Sequence, residues 1–300
     1  MTMGKILITG ARGQLGQTLL PHLLKSKLSE KYSIVVSDRY DLDLSRHESI
    51  FSFLSSCKPS VIINCGAYTA VDSAETELDL AQQINDKAVG YIASWASNND
   101  CRVIQISTDF VFDGSKGQPY MPGDLPSPIG VYGRTKQAGE KHILESLTDS
   151  GVIVRTSWLY SEHGQNFVRT MIRLMSEKSE LSIVSDQVGS PTSAHSLAIL
   201  LIKLIEDQSL CGILHWCDGA SISWYDFAVE IQKAALGHGL LKKKIPLSPL
   251  KTSDYPAIAE RPLYSVLDRS YTLEQLGIIG TDWRSELGKV IERILEKNEG

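Results

Sequence analysis

The chain has 300 residues, 42% of them apolar, and a formal net charge of −5 at pH 7. That length holds one large α/β domain, or a nucleotide-sized domain with a smaller partner. No apolar run reaches the ~20 residues of a membrane span, and the acidic balance leaves no broad basic face for a nucleic-acid backbone. The opening Met1-Thr2-Met3-Gly4-Lys5 runs straight into Ile6-Leu7-Ile8 with no leader pattern, so the expectation is a cytoplasmic protein with neither membrane nor nucleic acid as partner. Lys242-Lys243-Lys244, the one dense basic run, sits just before Pro246 and reads as a solvated loop. Cys57, Cys65, Cys101, Cys211 and Cys217 contain no CxxC pair and are odd in number, as reduced thiols would be. Cys211, His215 and Cys217 lack a fourth ligand and the usual zinc spacing, so no metal is expected there and the stretch reads as a partly buried strand.

Short β-branched runs alternate with longer amphipathic stretches, the pattern of a parallel sheet covered by helices. In chain order the predicted strands are Lys5 to Thr9, Ser33 to Ser37, Val61 to Asn64, Arg102 to Ser107 and Val152 to Thr156. The predicted helices between them are Leu15 to Lys27, Ser45 to Cys57, Thr76 to Asn98 and Val131 to Leu147. Ser45 with Glu48 three positions on predicts a capping box for the second helix. Right-handed crossovers would place the five strands in one sheet, with a ligand crevice at their carboxyl ends. Beyond residue 157 the alternation weakens. The expected organisation is a Rossmann-type doubly wound domain over 1–157 and a smaller C-terminal lobe over 158–300. Leu181 to Val184 and Gly212 to His215 are left open as strands that could return to the main sheet.

The first strand leads into Gly10-Ala11-Arg12-Gly13-Gln14-Leu15-Gly16 and then a helix, with glycines three apart. Glycine permits the tight turn and lets backbone approach a pyrophosphate, while the helix start offers free N–H groups and a positive dipole end. Asp38 follows Gly16 by 22 positions, close to the ~20 expected of a carboxylate on a cofactor ribose. Arg12 inside the turn and Arg39 after Asp38 could pair with a 2′-phosphate, so NADPH is expected to be modestly preferred and NADH accepted.

Tyr132 and Lys136 stand four apart at the start of a predicted helix, on one face of it. Hydride addition turns a ketone into an alkoxide that needs a proton. A phenol of pKa ~10 can supply it if an adjacent ammonium brings that pKa down. The Thr108 hydroxyl, at the end of the fourth strand, could bind the reacting oxygen.

A glycine triplet, a Thr on the fourth strand and Tyr-x-x-x-Lys together resemble the extended short-chain dehydrogenase/reductase superfamily. Further blocks make the chain similar to the dTDP-4-dehydrorhamnose reductase family over nearly its whole length. They include Gly13-Gln14-Leu15-Gly16, Cys65 to Asp72, Ser107 to Gly114, Tyr132-Gly133-Arg134-Thr135-Lys136, Arg155-Thr156-Ser157-Trp158, Asn166-Phe167-Val168, Asp186 to Thr192 and Arg261-Pro262. The resemblance implies reduction of the 4-keto group of dTDP-4-dehydro-6-deoxy-L-mannose, in dTDP-rhamnose biosynthesis, with Thr108, Tyr132 and Lys136 as the catalytic set. It implies cofactor contacts from Gly10, Arg12, Gly13, Gln14, Leu15, Asp38, Arg39, Asp43, Leu44, Ala67, Tyr68 and Lys136. For the nucleotide-sugar substrate it implies Val71, Asp109, Trp158, Asn166 and Arg261, the last as a cation for a diphosphate. Some members form a magnesium-bridged dimer through a Glu one turn into the first helix. This chain has Gln17-Thr18-Leu19 there, so no metal is carried over and the protein is expected as a monomer or homodimer.

Three other readings stay in view. Sugar-nucleotide dehydratases use a Thr-Asp-Glu run, whereas Thr108-Asp109-Phe110 lacks a base. A non-catalytic NADP-binding regulatory subunit resembling the methionine adenosyltransferase β subunit can keep Tyr-x-x-x-Lys, but differs at the Trp158 block. Another NDP-4-keto-sugar reductase would share every motif named.

Overall fold

Strands that are apolar on both faces need a helical cover on both, and the central strands here are of that kind. A computed structural model describes residues 3–299. Met1 and Thr2 of the opening stretch, and Gly300, lie outside the described residues. The first half runs β1 (Gly4–Thr9), α1 (Gln14–Lys25), α2 (Leu28–Lys31), β2 (Tyr32–Val36), α3 (His47–Cys57), β3 (Val61–Asn64), α4 (Val71–Ala74), α5 (Leu78–Gln82), a π turn (Gln83–Lys87), α6 (Ala88–Ser97), β4 (Arg102–Thr108), a 3-10 turn (Asp109–Val111), α7 (Val131–Ser146) and β5 (Gly151–Thr156). The second half supplies β6 (Leu159–Tyr160), α8 (Phe167–Glu177), β7 (Leu181–Val184), β8 (Val188–Gly189), β9 (Thr192–Ser193), α9 (Ala194–Glu206), β10 (Gly212–Trp216), β11 (Ile222–Ser223), α10 (Trp224–Gly237), β12 (Leu247–Leu250), α11 (Ser270–Leu276) and α12 (Trp283–Glu299).

The main sheet is parallel, in the order β2-β1-β3-β4-β5-β10. The chain moves outward from β1 to β2 and then crosses back over β1 to β3, which opens a crevice at the carboxyl ends of β1 and β3. Side chains alternate across the sheet. Ile6, Ile8, Ile63, Ile104 and Val154 pack under α1 and α9 with Leu19, Leu23, Leu197 and Leu201, while Leu7, Ile62, Val103 and Ile153 meet α3, α6 and α7 through Leu54, Ile92, Ala96 and Ile143. A third apolar cluster, built on Tyr160, Val168, Met171, Phe227, Ile231, Leu287 and Val290, joins α8, α10 and α12.

The structure differs from the sequence expectations at four places. Gly212–Trp216 joins the main sheet beside β5, but Leu181–Val184 pairs with Leu247–Leu250 instead. The helix expected from Ser45 begins at His47 with Arg46 as a bare N-cap, and no capping box forms. Asp43 is the reason: its Oδ1 accepts both the Ser45 N–H at 2.9 Å and the Ser45 hydroxyl at 2.6 Å, a local turn that outcompetes the cap. The single helix expected from Thr76 to Asn98 runs without a break from Leu78 to Ser97 but widens into a π turn at Gln83–Lys87. There Asn85 Oδ1 accepts the Tyr68 N–H and Asn85 Nδ2 donates to the Tyr68 carbonyl. His215, in β10, is fully buried, with Nδ1 against the Tyr120 carbonyl at 3.0 Å. The Lys242 to Lys244 run is exposed.

Candidate active site

The turn between β1 and α1 is built for close approach. Gly10 has φ +63, a conformation side chains rarely adopt, and a Cβ there would meet the Gly66 backbone at 2.8 Å. A Cβ on Gly16 would lie 2.6 Å from Ala11 Cα. The Gly13 N–H closes the turn on the Gly10 carbonyl at 2.9 Å. Gly13 caps α1 without a side chain, so the first N–H groups of that helix stay free for an anion. A dinucleotide pyrophosphate fits this cradle.

From the turn a cleft of about 450 Å³ runs across the carboxyl ends of the strands. Gly13, Gln14 and Leu15 line one side, Ala67 and Val71 the segment after β3, and Thr108, Asp109, Tyr132, Lys136 and Trp158 the far side. The sequence motifs, distant along the chain, thus meet in one cavity.

At the rim, Arg12 Nε lies 2.5 Å from Asp38 Oδ2, and the Asp38 Oδ1 accepts the Tyr40 N–H at 2.7 Å. The guanidiniums of Arg12 and Arg39 sit 5.5 and 5.2 Å from the Tyr40 ring centroid. Leu44 packs against Gly66, below the turn. The Asp43 carboxyl is lowered from its ordinary value, first by the Ser45 hydroxyl. The Tyr68 hydroxyl donates to Glu77 at 2.9 Å.

At the chemical end, Thr108 Oγ1 accepts the Phe110 N–H and donates to Asp109 Oδ1, each at 3.1 Å. The Tyr132 phenol lines the same cleft, its ring met edge-on by Phe110 at 5.8 Å. The expectation that Lys136 draws this phenol toward neutrality does not hold. Burial pushes Tyr132 up to about 12, the nearby Thr108 hydroxyl opposes, and Asp109 adds to the rise. Lys136 Nζ instead donates to the Ile106 carbonyl at 2.6 Å, and burial pulls it down to about 8. Asp109 is 3% exposed, its Oδ2 has no hydrogen-bond partner, and burial raises it to about 6.

On the sugar side, Trp158 has φ +46 and its indole stacks on Trp224 at 3.5 Å between centroids. Gly189 leaves the room it needs, since a Cβ there would lie 2.6 Å from Trp158 Cε2. Asn166, expected at the substrate, is not among the cleft-lining residues, though its Nδ2 lies 3.4 Å from the Oε1 of Gln14, which is. Its Oδ1 caps α8 by accepting the Arg169 N–H, and its Nδ2 donates to the Ser161 carbonyl at 2.8 Å. A helix start leaves N–H groups that demand such a cap, and Gln165 lines the cleft in its place. Arg261 lies outside the cleft lining, with Nη2 on Asp72 at 2.7 Å.

Sequence reasoning missed Trp224 and Gln165, which reach the cleft only through tertiary packing. It also missed Glu140 and Arg155, a buried ion pair whose acid stands one turn of α7 from Lys136. A Glu four residues after Lys136, one helical turn on, was the available signal for the first. Among the described residues no group of three or more His, Cys, Asp or Glu is arranged to hold a metal ion, and no helix is long and apolar enough to cross a membrane.

The family described as "RmlD substrate binding domain" matches residues 4–296. A dTDP-4-dehydrorhamnose reductase from Aggregatibacter actinomycetemcomitans is 38% identical over 293 residues, covering 96% of this chain and 98% of that protein. A dTDP-4-keto-6-deoxy-D-glucose reductase from Streptomyces niveus is 38% identical over 222 residues, 74% of this chain and 75% of its own. Among solved structures, a dTDP-4-dehydrorhamnose reductase from Bacillus anthracis in complex with NADP superposes with a TM-score of 0.89 at 36% identity, covering 97% of this chain and 100% of that one.

Proposed function

Because the chain belongs to the RmlD substrate-binding-domain family, we propose that it reduces the 4-keto group of dTDP-4-dehydro-6-deoxy-L-mannose to give dTDP-L-rhamnose, using NADPH in preference to NADH. The observation that carries this is a protonated phenol, Tyr132, lining with Thr108 and Lys136 one cleft that begins in a glycine turn. The nicotinamide, when bound, supplies the hydride. Gly10, Gly13, Gln14 and Leu15 would hold its pyrophosphate, Ala67, Tyr68, Asp43 and Leu44 would bound the adenosine side, and Arg12, Asp38 and Arg39 would meet the 2′-position.

The chain's own residues then have distinct tasks. Thr108 orients the keto oxygen toward Tyr132, and Tyr132 gives its proton to that oxygen as charge develops there. Lys136, turned from the Ile106 carbonyl, would offset the charge left on the phenolate. Asp109 Oδ2, unpartnered and buried, suits a sugar hydroxyl. Trp158 and Val71 would present apolar surface to the ring. Arg261 keeps donors beyond those used on Asp72 and Ala259, and would serve the diphosphate.

Phe110 leaves the site without the base an elimination needs, so dehydration is not proposed. Both substrates are charged metabolites retained inside cells, so we place the reaction in the cytoplasm, by a monomer or homodimer that gel filtration would distinguish. The smaller C-terminal part, from about residue 158, is proposed to hold the sugar nucleotide.

The test is cofactor oxidation by the purified protein with dTDP-, UDP- and GDP-linked 4-keto-6-deoxy sugars, each with NADPH and NADH. Turnover highest with the dTDP sugar and NADPH is expected. No oxidation with any of them, together with tight binding to a methionine adenosyltransferase, would establish the regulatory reading instead. The Streptomyces niveus relative makes the configuration at C4 the second question, and NMR of the product answers it.

A further inference from the structure

Lys136 is 4% exposed and its ammonium has one backbone acceptor. Such a group has lost most of its hydration, and something must oppose its tendency to shed a proton. One turn along the same face of α7, Glu140 is 2% exposed. Its Oε1 accepts the Ser107 hydroxyl at 2.5 Å and Arg155 Nε at 2.9 Å, and its Oε2 accepts Arg155 Nη2 at 2.6 Å. Lys136 and Glu140 therefore both reach β4, at the consecutive residues Ile106 and Ser107. Arg155 comes from β5, with its guanidinium 5.1 Å from the Phe112 ring centroid.

We propose that Glu140 is a positioning residue for the reaction: its carboxylate, locked by Arg155 and Ser107 one helical turn from Lys136, keeps Lys136 charged beside the cleft. This rests on the reading of Lys136 as the cation of the reductase site. Arg155 has its own part in the device, because a lone carboxylate this deeply buried would neutralise itself by taking up a proton. The other groups around the ammonium do not substitute for it. Cys65, after β3, is pushed up to about 12 by burial and stays a neutral thiol. Tyr132, on α7 itself, is likewise neutral. Asp109, after β4, has its carboxyl on Thr108 and bears on the Tyr132 phenol. Burial depresses Lys136, and Glu140 is the chief opposing influence.

The test reads the ammonium directly. In protein labelled at lysine Cε with carbon-13, with the Lys136 resonance assigned through Lys136→Arg, the native midpoint is expected near 8. Glu140→Gln should lower it by about one unit, tenfold in proton affinity, and Glu140→Asp should largely restore it. The alkaline limb of kcat should move down in step, whereas a merely structural role would lower kcat equally at every pH. Should Glu140→Gln fail to fold with Arg155 left unpaired, Glu140→Gln with Arg155→Met removes both charges, and a smaller downward shift is expected. An unchanged midpoint in whichever variant folds overturns the proposal. A shifted midpoint in a protein whose native form oxidises no cofactor would leave Glu140 in its role and remove the reductase reading instead.

Discussion

At neutral pH a phenol pushed up to about 12 is fully protonated, so Tyr132 needs no prior proton uptake to act as donor. Replacing it with Phe keeps the ring against Phe110 and removes only the proton. Turnover by Tyr132→Phe should fall by ~10²- to 10⁴-fold, with the cofactor dissociation constant, read by fluorescence titration, unchanged; equal turnover would refute the assignment. At the rim, Arg12 neutralises the Asp38 carboxylate at 2.5 Å. Arg12→Ala should therefore raise KM for NADPH about tenfold through loss of a charge-assisted contact, and KM for NADH much less. Equal changes in the two constants would place the 2′-phosphate elsewhere. The glycine spacing, the Asp38 distance and the Tyr132–Lys136 pair were all legible in the sequence because each is a local pattern. The upward shift of Tyr132 was not, since it arises from burial and from Asp109, which only the folded cleft brings to bear.

Elements differ in how far their neighbours decide them. The strands β1, β3, β4 and β5 were readable because both faces are buried and their runs are correspondingly apolar, whereas β2 is a half-exposed edge strand. The start of α3 was misread because Ser45 had two partners on offer and Asp43 took it. Asn166 is expected at the sugar from its motif, and that motif does not show that its Oδ1 caps the first turn of α8. The seat of Trp158 belongs to this scale as well. Its left-handed backbone, the Trp224 stack and the missing side chain at Gly189 in β8 together fix the indole. Gly189→Ala should displace it, raising KM for the sugar nucleotide at least ~10-fold, the effect of misplacing a positioning group by about an ångström, with KM for NADPH unaltered. A sugar KM equal to the native value would show that the indole does not touch substrate.

Across the molecule, buried acids set the response to pH. Burial raises Asp109 and Asp218 to about 6 from 3.8. A carboxyl whose folded pKa is raised stabilises the fold below its unfolded value, and that contribution is lost as pH climbs through the folded one. For Asp109 the difference of about two units corresponds to roughly 3 kcal/mol at most. Asp109→Asn should thus melt above the native protein at pH 8, with the gap closing below pH 4, and lose activity with the nucleotide sugar. A gap of the same size at both pH values would contradict desolvation of the carboxylate as its cause. Glu162 runs the other way. Burial opposes its ionisation, but the hydrogen bond from His195 prevails and holds it near 2, so its contribution is present above about 4.5 and fades as pH falls toward 2. His195 also meets His22 of α1 at 2.9 Å, and Gln14 donates to the Leu159 carbonyl at 3.2 Å, so the cofactor helix is tied at two points to the later half of the chain. That later half also closes the sheet: β10 pairs with β5 from Gly212↔Val152 to Trp216↔Thr156, and α9 lies over α1. During synthesis, then, the growing polypeptide carries an unpaired edge and an uncovered leucine face until residue 216 has left the ribosome. A fragment ending at residue 157 should be insoluble when expressed alone, and the full-length protein should depend on holdase chaperones during translation.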